Sequence, residues 1–268
     1  MVTLSADVFF ELNDFAHKEL FDADSHVWKA LENLKSYMQG QQYQLPSSPL
    51  LPDGRPLASS VVLFENNIID AEGMTIEYGD ATKGKLKVLR DGEELSGASV
   101  IMAGAVLSGR QIRLGKGVLV ETGAFIKSPA IIGDHTEVRQ GAYLRGYCLV
   151  GNRCVVGHVT EVKHSIFLDD AKAGHFAYLG DSILGNNVNL GAGTKLANLR
   201  FASGDVQIKT DEGRIPTGLR KFGAFLGDHT QTGCNSVTNP GTLLGKKCIL
   251  LPNTIAPSGY HANKSIIR

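Results

Sequence analysis

Aromatic residues are scarce, at 7% of 268 residues, and Trp28 is the only tryptophan. The expected core is therefore small and aliphatic, without a few large rings to plug it. Net charge is absent: 27 basic residues face 27 acidic ones. That argues against a general binder of nucleic acid or of membrane surfaces, since both need a positive excess. No apolar run approaches the ~20 residues of a membrane span. The four cysteines, Cys148, Cys154, Cys234 and Cys248, form no C-x-x-C pair. Their spacing argues against zinc-ribbon and thioredoxin sites, and the chain is not short and cysteine-dense as a disulfide framework is. The opening "MVTLSADVFFELNDF" has no basic stretch ahead of its apolar residues and so reads against a secretion signal. Together these absences predict a reduced, cytoplasmic protein.

What is abundant is glycine, 31 residues scattered along the chain, which signals many tight turns. Residues 1–57 read as a helical segment followed by a linker. In "DADSHVWKALENLKSYMQG" the apolar positions Val27, Ala30, Leu31, Leu34 and Met38 share one face. Asp24 or Ser25 is a candidate cap at its start and Gly40 at its end. The next stretch, 41–57, holds four prolines. Residues 58–110 suggest irregular strands or first coils, with a hairpin in "KGKLKVLRDGEELSG" turning at Asp91-Gly92.

From Leu114 a regular pattern sets in, and it defines a third region, 111–268. Leu114, Val120, Ile126, Ile132, Val138, Leu144, Val150, Val156, Val162 and Leu168 are spaced six apart without a miss. Small residues such as Ala124, Ala142, Cys148 and Cys154 recur four positions later, and glycine often follows the aliphatic residue, as at Gly115, Gly133 and Gly151. A helix has period 3.6 and a strand period 2; period six belongs to a hexapeptide β-helix. Cys148 and Cys154 then read as compact interior side chains. The period resumes at Leu184, Leu190 and Leu196, and again at Leu226, Thr232, Thr238, Leu244 and Leu250.

Between Leu168 and Leu184, across "KAGHFAYLGD", the count is two residues short of three hexads. Local rules tend to fail where a functional site overrides them. Arg145 and Lys163 lie eighteen apart, so three hexads per coil stack them ~4.8 Å from each other. Two stacked cations repel unless an anion, or a neighbour such as Glu161, offsets them.

"EVKHSIFLDDAKAGHFAYLGDSILGNNVNLGAGT" is similar to the acetyltransferase domain of the bifunctional N-acetylglucosamine-1-phosphate uridylyltransferase/glucosamine-1-phosphate acetyltransferase, within the hexapeptide-repeat acyltransferases. The frame comprises E-V-K, A-G-H-x-x-Y-x-G-D and N-V-N-x-G-A-G-T, followed by a later Asn. The resemblance implies a mainly β, left-handed parallel β-helix acting as a homotrimer with sites between subunits. It implies acetyl-CoA as co-substrate, no tightly bound metal, and an amino-sugar phosphate acceptor, foremost glucosamine-1-phosphate, on the way to UDP-N-acetylglucosamine. His175 would be the general base, with Glu161 and Asp181 orienting the site. Arg145 and Lys163 would hold the sugar phosphate, and Tyr178, Asn189 and Asn198 would line the sugar pocket. The Ala192 amide would meet the developing oxyanion. Asp228 stands where the family often presents a serine near coenzyme A.

The likeness departs elsewhere. Residues 1–113 carry no glycine-rich phosphate loop, so uridylyl transfer is not expected. The familiar N-Y-D-G segment and its lysine are replaced by "NLRFASGDVQIKTDEGRIPTGLRKFGAF", read as a β-hairpin excursion near 199–222, with Lys209 a candidate substitute. This leaves the acceptor open among glucosamine-1-phosphate, galactosamine-1-phosphate and nucleotide-linked amino sugars. A non-catalytic trimeric scaffold is the reading from another class. A three-histidine metal site from His158, His164 and His175 lacks the expected spacing.

Overall fold

A computed structural model describes residues 3–268. Short parallel strands stack into three sheets around one axis, and each coil contributes one strand to each sheet. We number the faces in chain order. Face 1 has eleven strands, two of which form the edge hairpin Val61–Phe64/Asn67–Asp70, leaving nine coil strands. Faces 2 and 3 have eight strands each. The coils begin at Ser99–Ile101, ahead of the 111 boundary suggested by the hexad count.

The interior follows the period-six column. Val120, Ile126, Val138, Leu144, Val156 and Val162 are fully buried in one continuous core. The small residues four positions on are buried as well, including Ala124, Thr136, Ala142, Cys148, Cys154 and Thr160. The Thr136 hydroxyl donates to the Gly151 carbonyl at 2.8 Å, so even the polar members are satisfied by the next coil. The hairpin at Asp91-Gly92 forms as expected, with both residues at positive φ.

The two missing residues are lost on adjacent coils, one ahead of "KAGHFAYLGD" and one at its end. Leu144 pairs with Val162, eighteen on, but Val150 pairs with Phe167, seventeen on. Phe167 takes the interior place. Leu168, the tenth aliphatic of the series, packs in a second core outside the coil. One residue is lost between Val162 and Phe167 and a second between Leu179 and Leu184, as the registers Leu179↔Leu196 and Leu184↔Leu226 confirm. Both losses fall at the turn from face 2 to face 3. There His164 and Asp181 adopt positive φ of 47° and 50° on adjacent coils. The excursion leaves the coil at this same turn. It is closed by a Leu199–Lys221 bridge and contains the hairpin Gln207–Thr210/Gly213–Pro216.

The second core explains residues 3–57. Face 3 presents an outer row of Ile131, Leu149, Ile166, Ile183, Phe225 and Leu243. The N-terminal segment covers it with Phe9, Phe10, Trp28, Leu31 and Leu34, and the excursion adds Val206, Ile208 and Phe222. The few aromatics are concentrated here, outside the coil, whose interior is aliphatic apart from Phe167. The helix Lys29–Gln39 starts at Trp28 without a side-chain cap. Asp22 instead ties the preceding turn, accepting from Ser25 and from the Asp24 amide. The early coils of face 1 are covered by strands Thr75–Tyr78 and Leu86–Arg90 through Val62, Val88, Val100 and Leu119. Face 2 takes part in neither covering cluster.

Candidate functional site

Face 2 carries two outward columns, because alternate residues of a strand point the same way. One column runs Tyr143, Glu161, Tyr178, Lys195, and the next carries Arg145 and Lys163. The stacked cations are each matched to a carboxylate. Arg145 Nη1 lies 2.7 Å from Glu161 Oε1, and Lys163 Nζ lies 3.2 Å from Asp181 Oδ2. Glu161 is thus paired with Arg145 and makes no hydrogen bond with His175 among the described residues.

Asp181 is the hub of the face 2–face 3 turn. It is buried and accepts from Lys163, from His164 Nδ1 at 2.8 Å and from Asn198 Nδ2 at 2.5 Å. Burial alone would raise its carboxyl pKa, but these donors outweigh burial and hold it below the ordinary aspartate range. Tyr178 Oη donates to Asn198 Oδ1 at 3.3 Å, so Tyr178, Asn198, Asp181 and Lys163 form one chain of contacts. The short sides that bring His164 and Asp181 together assemble this cluster.

His175 lies at the opposite end of the face, at the turn from face 1 to face 2. Its ring is exposed, makes no side-chain hydrogen bond among the described residues, and stacks on His158 with centroids 5.5 Å apart. Gly157 makes that approach possible: a Cβ there would meet the Gly174 carbonyl oxygen of the next coil at 1.8 Å. The sequence reading weighed His158 only as a metal ligand; its stacking on His175 follows from the seventeen-residue coil. His164 sits at the other turn, so the three histidines do not converge.

Ala192 occupies the same turn as His175, one coil further on. The Gly193 amide donates to the His175 carbonyl at 3.0 Å, and Ala192's own amide donates to no protein group among the described residues. Asn189 is exposed on face 1, paired with Lys172, away from Tyr178 and Asn198. Within one chain these three do not share a pocket. Asp228 departs from expectation altogether. It is 1% exposed at the turn from face 3 to face 1, and its carboxylate accepts from the Glu11 and Asn186 amides at 2.7 Å each. It pins the N-terminal segment and is closed to coenzyme A. Lys209 lies on the excursion hairpin, its carbonyl packed against Gly259 on face 3.

Along face 2, a five-residue run at ~3.3 Å per residue sets the two turns roughly 16 Å apart at the backbone. Arg145 reaches back along the face toward Glu161.

A family model described as the GMPPB C-terminal domain matches residues 126–213. The chain is 37% identical over 154 residues to the bifunctional sugar-1-phosphate nucleotidylyltransferase/acetyltransferase of Sulfurisphaera tokodaii, covering 51% of this chain and 38% of that protein. It is 35% identical over 246 residues to the bifunctional protein GlmU of Methanococcus aeolicus, covering 77% of this chain and 58% of that protein. With GlmU of Methanocaldococcus jannaschii the identity is 38% over 107 residues, 40% of this chain and 26% of the other. The chain therefore spans less than two thirds of each of these relatives. It resembles their acetyltransferase part, and its hexapeptide solenoid is the fold that resemblance implies.

Proposed function

We propose that this protein transfers the acetyl group of acetyl-CoA to the amine of an amino-sugar phosphate, foremost glucosamine-1-phosphate, working as a cytoplasmic homotrimer. The observation that carries the reading is the stacking of exposed His175 and the uncommitted Ala192 amide on successive coils of one turn, at the end of a face whose other end carries Arg145 and Lys163. An amine attacks a thioester only as the free base, and imidazole takes up a proton near neutral pH. In the proposed step His175 accepts the amine proton as nitrogen bonds to the thioester carbon. The Ala192 N–H donates to the oxyanion as it forms. Collapse breaks the C–S bond, and the imidazolium returns its proton to the leaving thiolate. Arg145 and Lys163 hold the phosphate, while Tyr178 and Asn198 border the sugar. No covalent enzyme intermediate is needed.

The name of the Sulfurisphaera tokodaii relative fits this reading, since it pairs sugar-1-phosphate nucleotidylyl transfer with acetyl transfer. The test is release of coenzyme A thiol against a panel of amino-sugar phosphates and nucleotide-linked amino sugars. His175→Ala is expected to lose ~10²–10⁴ of kcat, the usual share of a general base. Thiol release with no acceptor in the panel sinks the catalytic reading and favours a scaffold. Release with only nucleotide-linked sugars moves the acceptor to that class.

A further inference from the structure

At the turn from face 2 to face 3 the coil, the helix Lys29–Gln39 and the excursion enclose a cavity of about 570 Å³. Five cations line it: Arg145 and Lys163 from the coil, Lys35 from the helix, and Arg220 and Lys221 from the base of the excursion. They differ in one respect. Arg145 and Lys163 are each held by a carboxylate, Glu161 and Asp181, so that pair contributes little net charge. Lys35, Arg220 and Lys221 form no ion pair among the described residues. Lys35 Nζ stands 5.5 Å over the Tyr147 ring, and Arg220 reaches only the Arg200 carbonyl, at 3.5 Å. His164 also lines the cavity, and its Nε2 is buried without a partner.

We propose that this cavity is a phosphoryl-binding pocket whose affinity is set by Lys35, Arg220 and Lys221, while Arg145 and Lys163 fix the position of the group. The proposal rests on the reading above in taking the anion to be the acceptor's phosphate, and it adds three specificity-determining cations from segments outside the repeat. The physical ground is charge balance. An anion entering beside Arg145 and Lys163 meets Glu161 and Asp181 at the same time, and only the uncommitted cations give the cavity its attraction for a dianion. Arg220, as a planar fork, suits a phosphate oxygen pair. The departure of the excursion from the N-Y-D-G pattern then has a consequence: the cation missing from that segment is supplied at its base by Arg220 and Lys221.

The test is calorimetric titration with inorganic phosphate at low salt, which does not depend on acetyl transfer. The unsubstituted protein is expected to bind, with affinity falling as salt rises. Arg220→Ala/Lys221→Ala is expected to bind at least tenfold more weakly, and Arg220→Lys/Lys221→Arg to recover most of the loss. Lys264→Ala, on a distant turn, serves as control and should stay within twofold. Glucosamine-1-phosphate and a nucleotide-linked glucosamine are then run as competitors; displacement by either supports the proposal and names the source of the phosphoryl group. Where turnover is observed, the double alanine variant raises the acceptor KM far more than it lowers kcat, as loss of uniform binding does. Absence of phosphate binding, displacement by neither sugar, or unchanged affinity in the double variant overturns the proposal. Phosphate binding without any thiol release leaves it standing and removes only the catalytic reading.

Discussion

At the residue scale, one substitution pattern separates interior from surface chemistry. Burial raises the Cys148 thiol to about 12 and raises Cys154 still further, because a thiolate inside the coil has no water to solvate it. Cys248 is buried and raised for the same reason, whereas Cys234 is exposed. A disulfide-exchange reagent on the folded protein is therefore expected to modify one thiol quickly, and all four after denaturation. Cys234→Ser should abolish the fast phase, and rapid modification of Cys148 or Cys154 would contradict the interior assignment. The sequence made this legible, since the two cysteines fall on the small positions of the repeat. It did not reveal Asp228: a buried carboxylate that accepts from the amide of a residue 217 positions earlier has no local signature. Nor did it reveal that Glu161 serves Arg145, because side-chain choice between two neighbours depends on geometry one coil away.

At the element scale, the N-terminal segment is a cover that the solenoid needs. The outer row of face 3 comprises six large apolar side chains, each worth ~1.5–3 kcal/mol when buried, roughly 9–18 kcal/mol as an upper estimate. That is comparable with the whole stability of a domain, so the cover is part of the fold. His17 gives it a pH dependence. Tyr37 donates to Glu19 at 2.5 Å, so His17 Nδ1 donates to Tyr37 Oη at 2.6 Å, and His17 Nε2 accepts from Arg113 at 3.2 Å. Burial first, and then the Arg113 charge, lower the His17 pKa from 6.5 to about 4. Above pH 6.5 His17 is neutral in both states and its contribution is complete. Between pH 6.5 and about 4 the unfolded chain takes up a proton that the folded chain refuses, and stability falls, by up to ~3 kcal/mol for a shift of this size. The melting temperature is accordingly expected to drop over that window, and His17→Gln should flatten the drop. A variant with the same slope would show that another group governs it. The hexads could be read in the sequence because the interior column repeats. The seventeen-residue coil could not, because Leu168 next to Phe167 keeps the aliphatic count in step while the chain has already shifted by one.

At the scale of the whole molecule, the covers leave face 2 and the later coils of face 1 without a packed partner among the described residues. Tyr143 is exposed there, as are Ile255 on a later coil and Val159 and Phe176 at the turn beside His175. The residues proposed for one acceptor are divided: His175, Tyr178 and Asn198 border face 2, whereas Asn189 lies on face 1 of the same chain. A closed ring of chains that sets face 1 of one against face 2 of the next would reunite them, and such a heterologous contact closes as a trimer when the rotation is one third of a turn. His175→Ala and Asn189→Ala, each inactive alone, are then expected to regain activity when unfolded and refolded together. A site needs His175 from one chain and Asn189 from its neighbour. An equal, random mixture therefore has about one competent site in four, and thiol release should reach roughly a quarter of the unsubstituted rate. The same mixture of two variants on face 2, His175→Ala with Lys163→Ala, should gain nothing, because both residues must come from one chain to span one hexosamine phosphate. Recovery in the second mixture but not in the first would reverse the assignment of faces. Recovery in neither, from a protein that sediments as a monomer, would mean that Asn189 has no part in the site.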